Sequence, residues 1–274
     1  QIRPSATTMA DATLPTVAMD TEAGTQYNVL HGYTSELDST LFYGNITPVA
    51  KDRKLTVTIN TYGEDIEGVA YKIRSLEDKS LIENTEVSDY DNAGSSINVT
   101  FNIKNLLDTG KEYALEIVLK TKKHEAVYYY TRIVYGVDYD LQKKLDFVMD
   151  FNACTFDDSR LKDIAGYLET SSSGDNTNYG KVNINCSLSQ VGWGDLDPYV
   201  ESDIMPEVIS VDDDVAILRL SYRVGAANDY SSSDTYTVSE YYRIRQTNSG
   251  FYLLNFEREM NQVFDARNDL TSTA

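Results

Sequence analysis

Cysteine is almost missing: Cys154 and Cys186 are the only two in 274 residues. That excludes a disulfide scaffold, and no Cys-x-x-Cys pair points to zinc or thiol redox chemistry. One bridge and no bridge both fit the sequence. Histidine is equally scarce, with His31 and His124 alone. The His-Glu-x-x-His signature of zinc proteases does not occur, nor does a Gly-x-Ser-x-Gly elbow, a phosphate-binding glycine loop or an EF-hand ladder. Positive charge is short as well, with 24 Lys and Arg against 43 Asp and Glu and a formal net charge of −19. Nucleic acid and anionic lipid surfaces are poor partners for such a chain, and its acidity serves solubility. No apolar run is long enough to span a bilayer, so this segment is not expected to insert in a membrane. The sequence calls for no cofactor and no metal. A glycosidase-type pair of carboxylates has no readable spacing, because such pairs lie far apart in sequence.

Tyrosine is abundant, at 21 residues against 8 Phe and 1 Trp, and with Thr and Val it favours strands. The Ser/Thr/Ala-rich opening, residues 1–13, reads as a linker or stalk. Because the chain starts at Gln1, a removed signal or anchor upstream is expected. After a short strand at Leu14–Met19 comes a long irregular span, Asp20 to Lys54, which contains His31-Gly32-Tyr33. A span of that length either covers a core, carries function or hides an element. Alternation then sets in. Leu55, Val57 and Ile59 share a face, as do Val69, Tyr71 and Ile73. So do Ile97, Val99, Phe101 and Ile103, and Tyr113, Leu115, Ile117 and Leu119. Leu81–Val87 reads as an edge strand and Val127–Tyr135 closes the set. Short strands with turns between them and no good helix predict an all-β sandwich over residues 14–137.

The run Leu107-Asp108-Thr109-Gly110-Lys111-Glu112-Tyr113 has the Leu-x-x-Gly-x-x-Tyr pattern and resembles the approach to a late strand in fibronectin type III domains. The resemblance implies a structural role for Tyr113, its hydroxyl bonding back to upstream backbone at the corner between sheets. Two features depart from the family: no tryptophan sits on an early core strand, and the Asp20–Lys54 span is long.

The period changes after Gly136-Val137-Asp138. In Tyr139–Phe156, Leu141, Leu145, Val148, Met149 and Asn152 follow helical spacing. A second helix is expected after an N-cap at Asp157 or Asp158, with Leu161, Ile164, Ala165 and Leu168 on one face. Lys181–Val191 reads as a strand with Val182, Ile184, Cys186 and Leu188 inward. Three alternating runs then form a meander: Val215–Val224, Thr235–Arg245 and Phe251–Arg258, the last with Tyr252, Leu254 and Phe256 inward. Asn228–Ser231 and Thr247–Gly250 supply the turns. Helices followed by a curved antiparallel sheet predict an α+β domain over residues 138–265, with a tail at 266–274. The element order resembles NTF2-like (cystatin-like) cones, which implies either a ligand pocket or a filled assembly module.

Glu240 is the most pointed candidate. It shares the apolar face of Tyr236, Val238, Tyr242 and Ile244, where an unpaired carboxylate is costly. Pairing Ile244 with Tyr252 would set Glu240 opposite Phe256 and leave Arg258 diagonally adjacent, within reach of a salt bridge at the sheet's open rim. The functional alternative is a pocket acid lined by Glu240, Tyr222, Tyr242, Trp193 and Arg258. Trp193 beside Tyr199 fits a sugar-stacking platform or a plug for the core. Asp212-Asp213-Asp214 fits either a cation site or a solvated turn.

The expected molecule is a non-enzymatic, extracytoplasmic binding or spacer segment of a surface protein, with a protein or glycan as partner. The acidic, Asn/Tyr/Thr-rich composition is similar to that of surface proteins of anaerobic bacteria, which implies a location. The alternatives are a ligand-binding or catalytic NTF2-like cone and a carbohydrate-binding module.

Overall fold

Alternation of apolar and polar side chains builds most of this chain, because a strand so patterned buries one face and wets the other. The computed structural model describes residues 13–228 and 232–263. The expected stalk (residue 13 apart), the expected tail, and Asp229, Tyr230 and Ser231 of one expected turn lie outside the described residues. The fold is predominantly β, with three sheets and few helical segments.

The strands before residue 138 are β1 (Thr16–Asp20), β2 (Gln26–His31), β3 (Ile46–Val49), β4 (Lys54–Asn60), β5 (Ile66–Ser75), β6 (Leu81–Val87), β7 (Ser96–Asn102), β8 (Glu112–Thr121) and β9 (Val127–Tyr135). They make a four-stranded sheet, β2-β1-β4-β7, and a five-stranded sheet, β3-β9-β8-β5-β6. The faces read from the alternation of β4, β5, β7 and β8 are all buried, and Tyr71 stacks on Phe101 with ring centres 4.6 Å apart. The long Asp20–Lys54 span hides β2 and β3. All four residues of β3 are buried, so it carries no alternation to read. It runs parallel to β9, and its Pro48 is tolerated because β3 is an edge strand.

After residue 138 come α1 (Leu141–Thr155), β10 (Lys181–Asn183), α2 (Leu188–Val191), β11 (Tyr199–Val200), β12 (Met205–Val211), β13 (Val215–Ala227), β14 (Ser233–Thr247) and β15 (Gly250–Gln262). The meander β13-β14-β15 forms as expected, and a two-residue turn joins Thr247 to Gly250. Two expectations are corrected. The second helix is a 3-10 segment, Leu161–Tyr167, with no side-chain cap and only Ile164 buried. Lys181–Val191 is not one strand. Asn183 folds the chain back, its side chain accepting from the Asn185 amide at 2.9 Å and its carbonyl from the Cys186 amide at 3.0 Å, and α2 follows.

Among the described residues no strand pairing crosses residue 138. The buried apolar side chains nevertheless form one connected cluster from Val17 to Phe256. Polar contacts join the two halves. Gln142 at the start of α1 bonds both Thr21 and Thr25 in the β1–β2 turn. Asn28 sits where the β1–β2 register slips, at φ 49°, so its side chain turns inward. Its Nδ2 donates to the Ile46 carbonyl at 2.9 Å and to Thr47 Oγ1 at 3.0 Å, and its Oδ1 accepts from the Val208 amide of β12 at 2.7 Å.

Asn28→Ala is expected to lower the unfolding free energy by about 2–4 kcal/mol, because it strands the buried Val208 amide and puts a Cβ residue without local support in the left-handed region. Asn28→Gly deletes the same bonds but tolerates the backbone, and should cost about 1 kcal/mol less. Urea unfolding of both variants checks the ordering.

Candidate functional site

The five residues singled out as pocket candidates do come together. Glu240 lies on the inward face of β14, two positions from Tyr242; its partner on β13 is Leu220, and Tyr222 is diagonal to it. The inward stripe of α1 brings Asn152 over it. Asn152 Nδ2 donates to Glu240 Oε1 at 2.6 Å and to the Tyr222 hydroxyl at 3.3 Å, and the Tyr242 hydroxyl donates to Glu240 Oε1 at 3.0 Å. Arg258 of β15 places Nη1 3.8 Å from Glu240 Oε2. The same guanidinium donates to the Val191 and Gln190 carbonyls at 2.8 and 3.2 Å, at the C-terminal end of α2. It also lies 3.4 Å from the centre of the Trp193 ring, a cation–π contact. Phe156 packs on the Trp193 ring, at 5.3 Å between centres.

Two features of the expected site are corrected. Glu240 and Arg258 are direct cross-strand partners and not diagonal ones, because a bulge shifts the register. Arg243 pairs with Asn255 but Ile244 pairs with Leu253, so Leu254 is extra. The same bulge turns Tyr252 outward, to 56% exposure, and brings Leu253 in. The pair is not at an open rim either, since both side chains are 0% exposed.

Burial is the main electrostatic fact here. It raises the Glu240 carboxyl above the usual carboxylate range, and Arg258, Asn152, Tyr242 and Tyr222 pull it back. Burial pushes the Tyr222 and Tyr242 hydroxyls well up, and Glu240 pushes them further. Burial also works against charge on Arg258, but a guanidinium starts so high that it stays protonated. Three atoms of the group, Glu240 Oε2, Arg258 Nε and Trp193 Nε1, have no hydrogen-bond partner. Trp193 is 1% exposed and has φ 71°, so it plugs the core and offers no face for sugar stacking beside the exposed Tyr199.

The remaining candidates are placed as follows. Tyr113 is buried, and its hydroxyl accepts from the Asp108 amide, five residues upstream, at 2.8 Å. At the Asp212-Asp213-Asp214 turn the backbone, not the carboxylates, meets a charge: the buried Lys144 ammonium donates to the Asp212 and Asp213 carbonyls, each at 3.1 Å, and to the Tyr139 carbonyl. Cys154 and Cys186 are free and buried. Asn152 was missed as a site residue, although an amide on an otherwise apolar helical stripe was its signal. Open space lies elsewhere: two clefts of about 460 and 560 Å³ flank the junction of the halves and a third of about 350 Å³ lies in the first half, and none is lined by Glu240, Arg258 or Trp193.

No family model and no curated protein matches the sequence. Among solved structures the chain is similar to the sporulation control protein Spo0M of Bacillus subtilis. That match has 8% identity and a TM-score of 0.24, over 78% of this chain and 86% of the other. A likeness at this level carries no argument about fold or function.

Arg258→Met alone is expected to cost about 3–5 kcal/mol, because Glu240 is left buried without its cation. Combining it with Glu240→Leu should recover most of that loss, as paired apolar replacements do. Urea unfolding of the single and double variants measures the coupling. A pH dependence follows from the raised Glu240 pKa, because the folded protein holds that proton more tightly than the unfolded chain. The resulting stability is full below the unfolded carboxyl value and is lost as pH rises through the folded one. The unfolding free energy of the native protein, less that of Glu240→Gln, should therefore fall as pH rises from the ordinary value of 4.5 and then level off. A difference constant across that window contradicts the raised pKa.

Proposed function

We propose that this chain is a non-enzymatic, extracytoplasmic binding or spacer segment of a bacterial surface protein. The observation that carries this reading is the filled interior of the second half. Where an NTF2-like cone would open a pocket, Trp193, Arg258 and Glu240 hold one another, each at most 1% exposed. A carboxylate so enclosed has no route to a substrate, and its hydrogen bonds go to fixed side chains. The finer fold reading accords with a scaffold role. The order of β1, β4 and β7 against β6, β5, β8 and β9, with the Tyr113 hydroxyl bond, supports a fibronectin III-like sandwich. The α1 helix laid on the meander, with Phe151 edge-on to Tyr242 at 5.6 Å, supports an NTF2-like second domain. The strongly acidic composition fits a surface that stays soluble and repels anionic lipid.

A second reading, a ligand pocket inside the cone, draws on the three unpartnered atoms of Glu240, Arg258 and Trp193. It requires Trp193 to move, whereas the surface-segment reading requires no rearrangement.

The test of location is labelling of intact cells that express the natural parent protein. Antibody against this segment should stain unbroken cells, and added protease should remove the epitope without lysis. Staining only after lysis overturns the proposal.

A further inference from the structure

The cleft of about 460 Å³ on one side of the junction is built from both halves of the chain. Its first wall comes from the span that alternation could not read. Gly32 brings the chain so close to β9 that a Cβ there would meet Val127 Cγ1 at 2.5 Å, and glycine alone allows it. His31 and Tyr33 are thereby presented at the cleft. Tyr33 is pinned by paired backbone bonds to Tyr128, at 2.9 and 2.8 Å, while the residue remains 43% exposed. Phe42 stands beside it, ring centres 5.8 Å apart, and stacks at 4.3 Å on the buried Tyr130. The loop bearing Phe42 is fixed at three points. The Leu37 amide bonds the Tyr130 hydroxyl at 2.7 Å, Arg132 Nε bonds the Phe42 carbonyl at 2.8 Å, and Lys79 pairs with Asp38 at 2.7 Å. The opposite wall is the approach to β12 and its first residues, with Asp203 and Glu207, and Asn45 lines the seam.

We propose that this cleft binds a neutral saccharide, with Tyr33 and Phe42 against the sugar's C–H face and Asp203, Glu207, Asn45 and His31 on its hydroxyls. The proposal deepens the binding arm of the surface-segment reading and rests on it. Three features argue for this ligand class. The volume is that of a small-ligand site, within roughly 300–1,000 Å³. One wall is aromatic and the other carries planar acceptors and donors, which matches a ring with an apolar face and a hydroxyl rim. The charge argues against ionic ligands. Two carboxylates disfavour an anion, and Glu207 already pairs with Arg219 at 3.7 Å, which leaves the exposed Asp203 alone for a cation. Both walls are held in place before any ligand arrives, so little ordering opposes binding.

The probe is a glycan array of neutral di- to tetrasaccharides, followed by calorimetric titration of the best binder and, separately, of tetramethylammonium. The native protein should bind at least one neutral saccharide. Tyr33→Ala and Asp203→Asn should each weaken it by at least about tenfold. Tyr252→Ala, which removes an exposed tyrosine of the other half, should leave it unchanged, and all three variants should melt as native. An empty array overturns the proposal, as do binding that survives Tyr33→Ala, equal loss in Tyr252→Ala, and binding of tetramethylammonium in place of sugars. If Tyr33→Ala melts early, Asp203→Asn decides. An empty array leaves the surface location standing, and staining only after lysis removes the location without touching the titration.

Discussion

The Asn28 amide is 0% exposed, so its donors and acceptor find partners in protein or go without. The partners it has lie on β3 in the first half and β12 in the second. A strand edge docking on another unit exposes backbone groups that must be answered, and one side chain here answers groups from both. The left-handed φ of Asn28 makes this work, because the bulge it creates turns the side chain from the sheet face toward the seam. The position of β12, and with it one wall of the junction cleft, depends on that small irregularity. Lys144 does a comparable job further along, its ammonium gathering the carbonyls of the β12–β13 turn under the start of α1.

The Glu240–Arg258 group follows the same logic more deeply in the second half. Neither charge can be buried alone at tolerable cost, and an isolated pair barely compensates its own desolvation. What makes this pair tenable is the number of further partners. Glu240 takes bonds from Asn152 and Tyr242, and Arg258 gives bonds to two carbonyls and stacks on Trp193. Those partners lie on α1, on β14 and on α2 with the turn after it, so the group sets the mutual arrangement of α1, α2 and the meander. A polar group of this kind specifies geometry more than it adds stability, in the way a single polar residue fixes register in a coiled coil.

Much of this fold was legible wherever a strand had one wet face. Leu55-Val57-Ile59 and Ile97-Val99-Phe101 announced themselves by alternation, and the three meander runs did the same. Strand β3 did not, since all four of its side chains are buried and Ile46-Thr47-Pro48-Val49 shows no period. The bulge at Leu254 was invisible because Tyr252, Leu254 and Phe256 alternate perfectly in sequence, and only the partner strand reveals the slip. Leu161, Ile164, Ala165 and Leu168 have helical spacing, yet burial of Ile164 alone gives an α-helix nothing to pack. Glu240 stood out because a carboxylate on an apolar face needs an explanation. The junction cleft left no such trace: His31 and Glu207 are ordinary residues at ordinary positions until tertiary structure sets them on facing walls.

These contrasts bear on where function resides. Opening a pocket at Glu240 would mean displacing a tryptophan and a guanidinium that together satisfy α2 and cover the core, a loss on the scale of about 3–5 kcal/mol for a large buried side chain. The junction requires no such displacement. Its walls are already apart, its Tyr33 already exposed, and its backbone already fixed by bonds that no ligand has to supply. Recognition at the lowest reorganisation cost belongs at such a place. The buried acid bears on the cleft through the sheet alone: Leu220 of β13 pairs with Glu240 on one side and with Pro206 of β12 on the other.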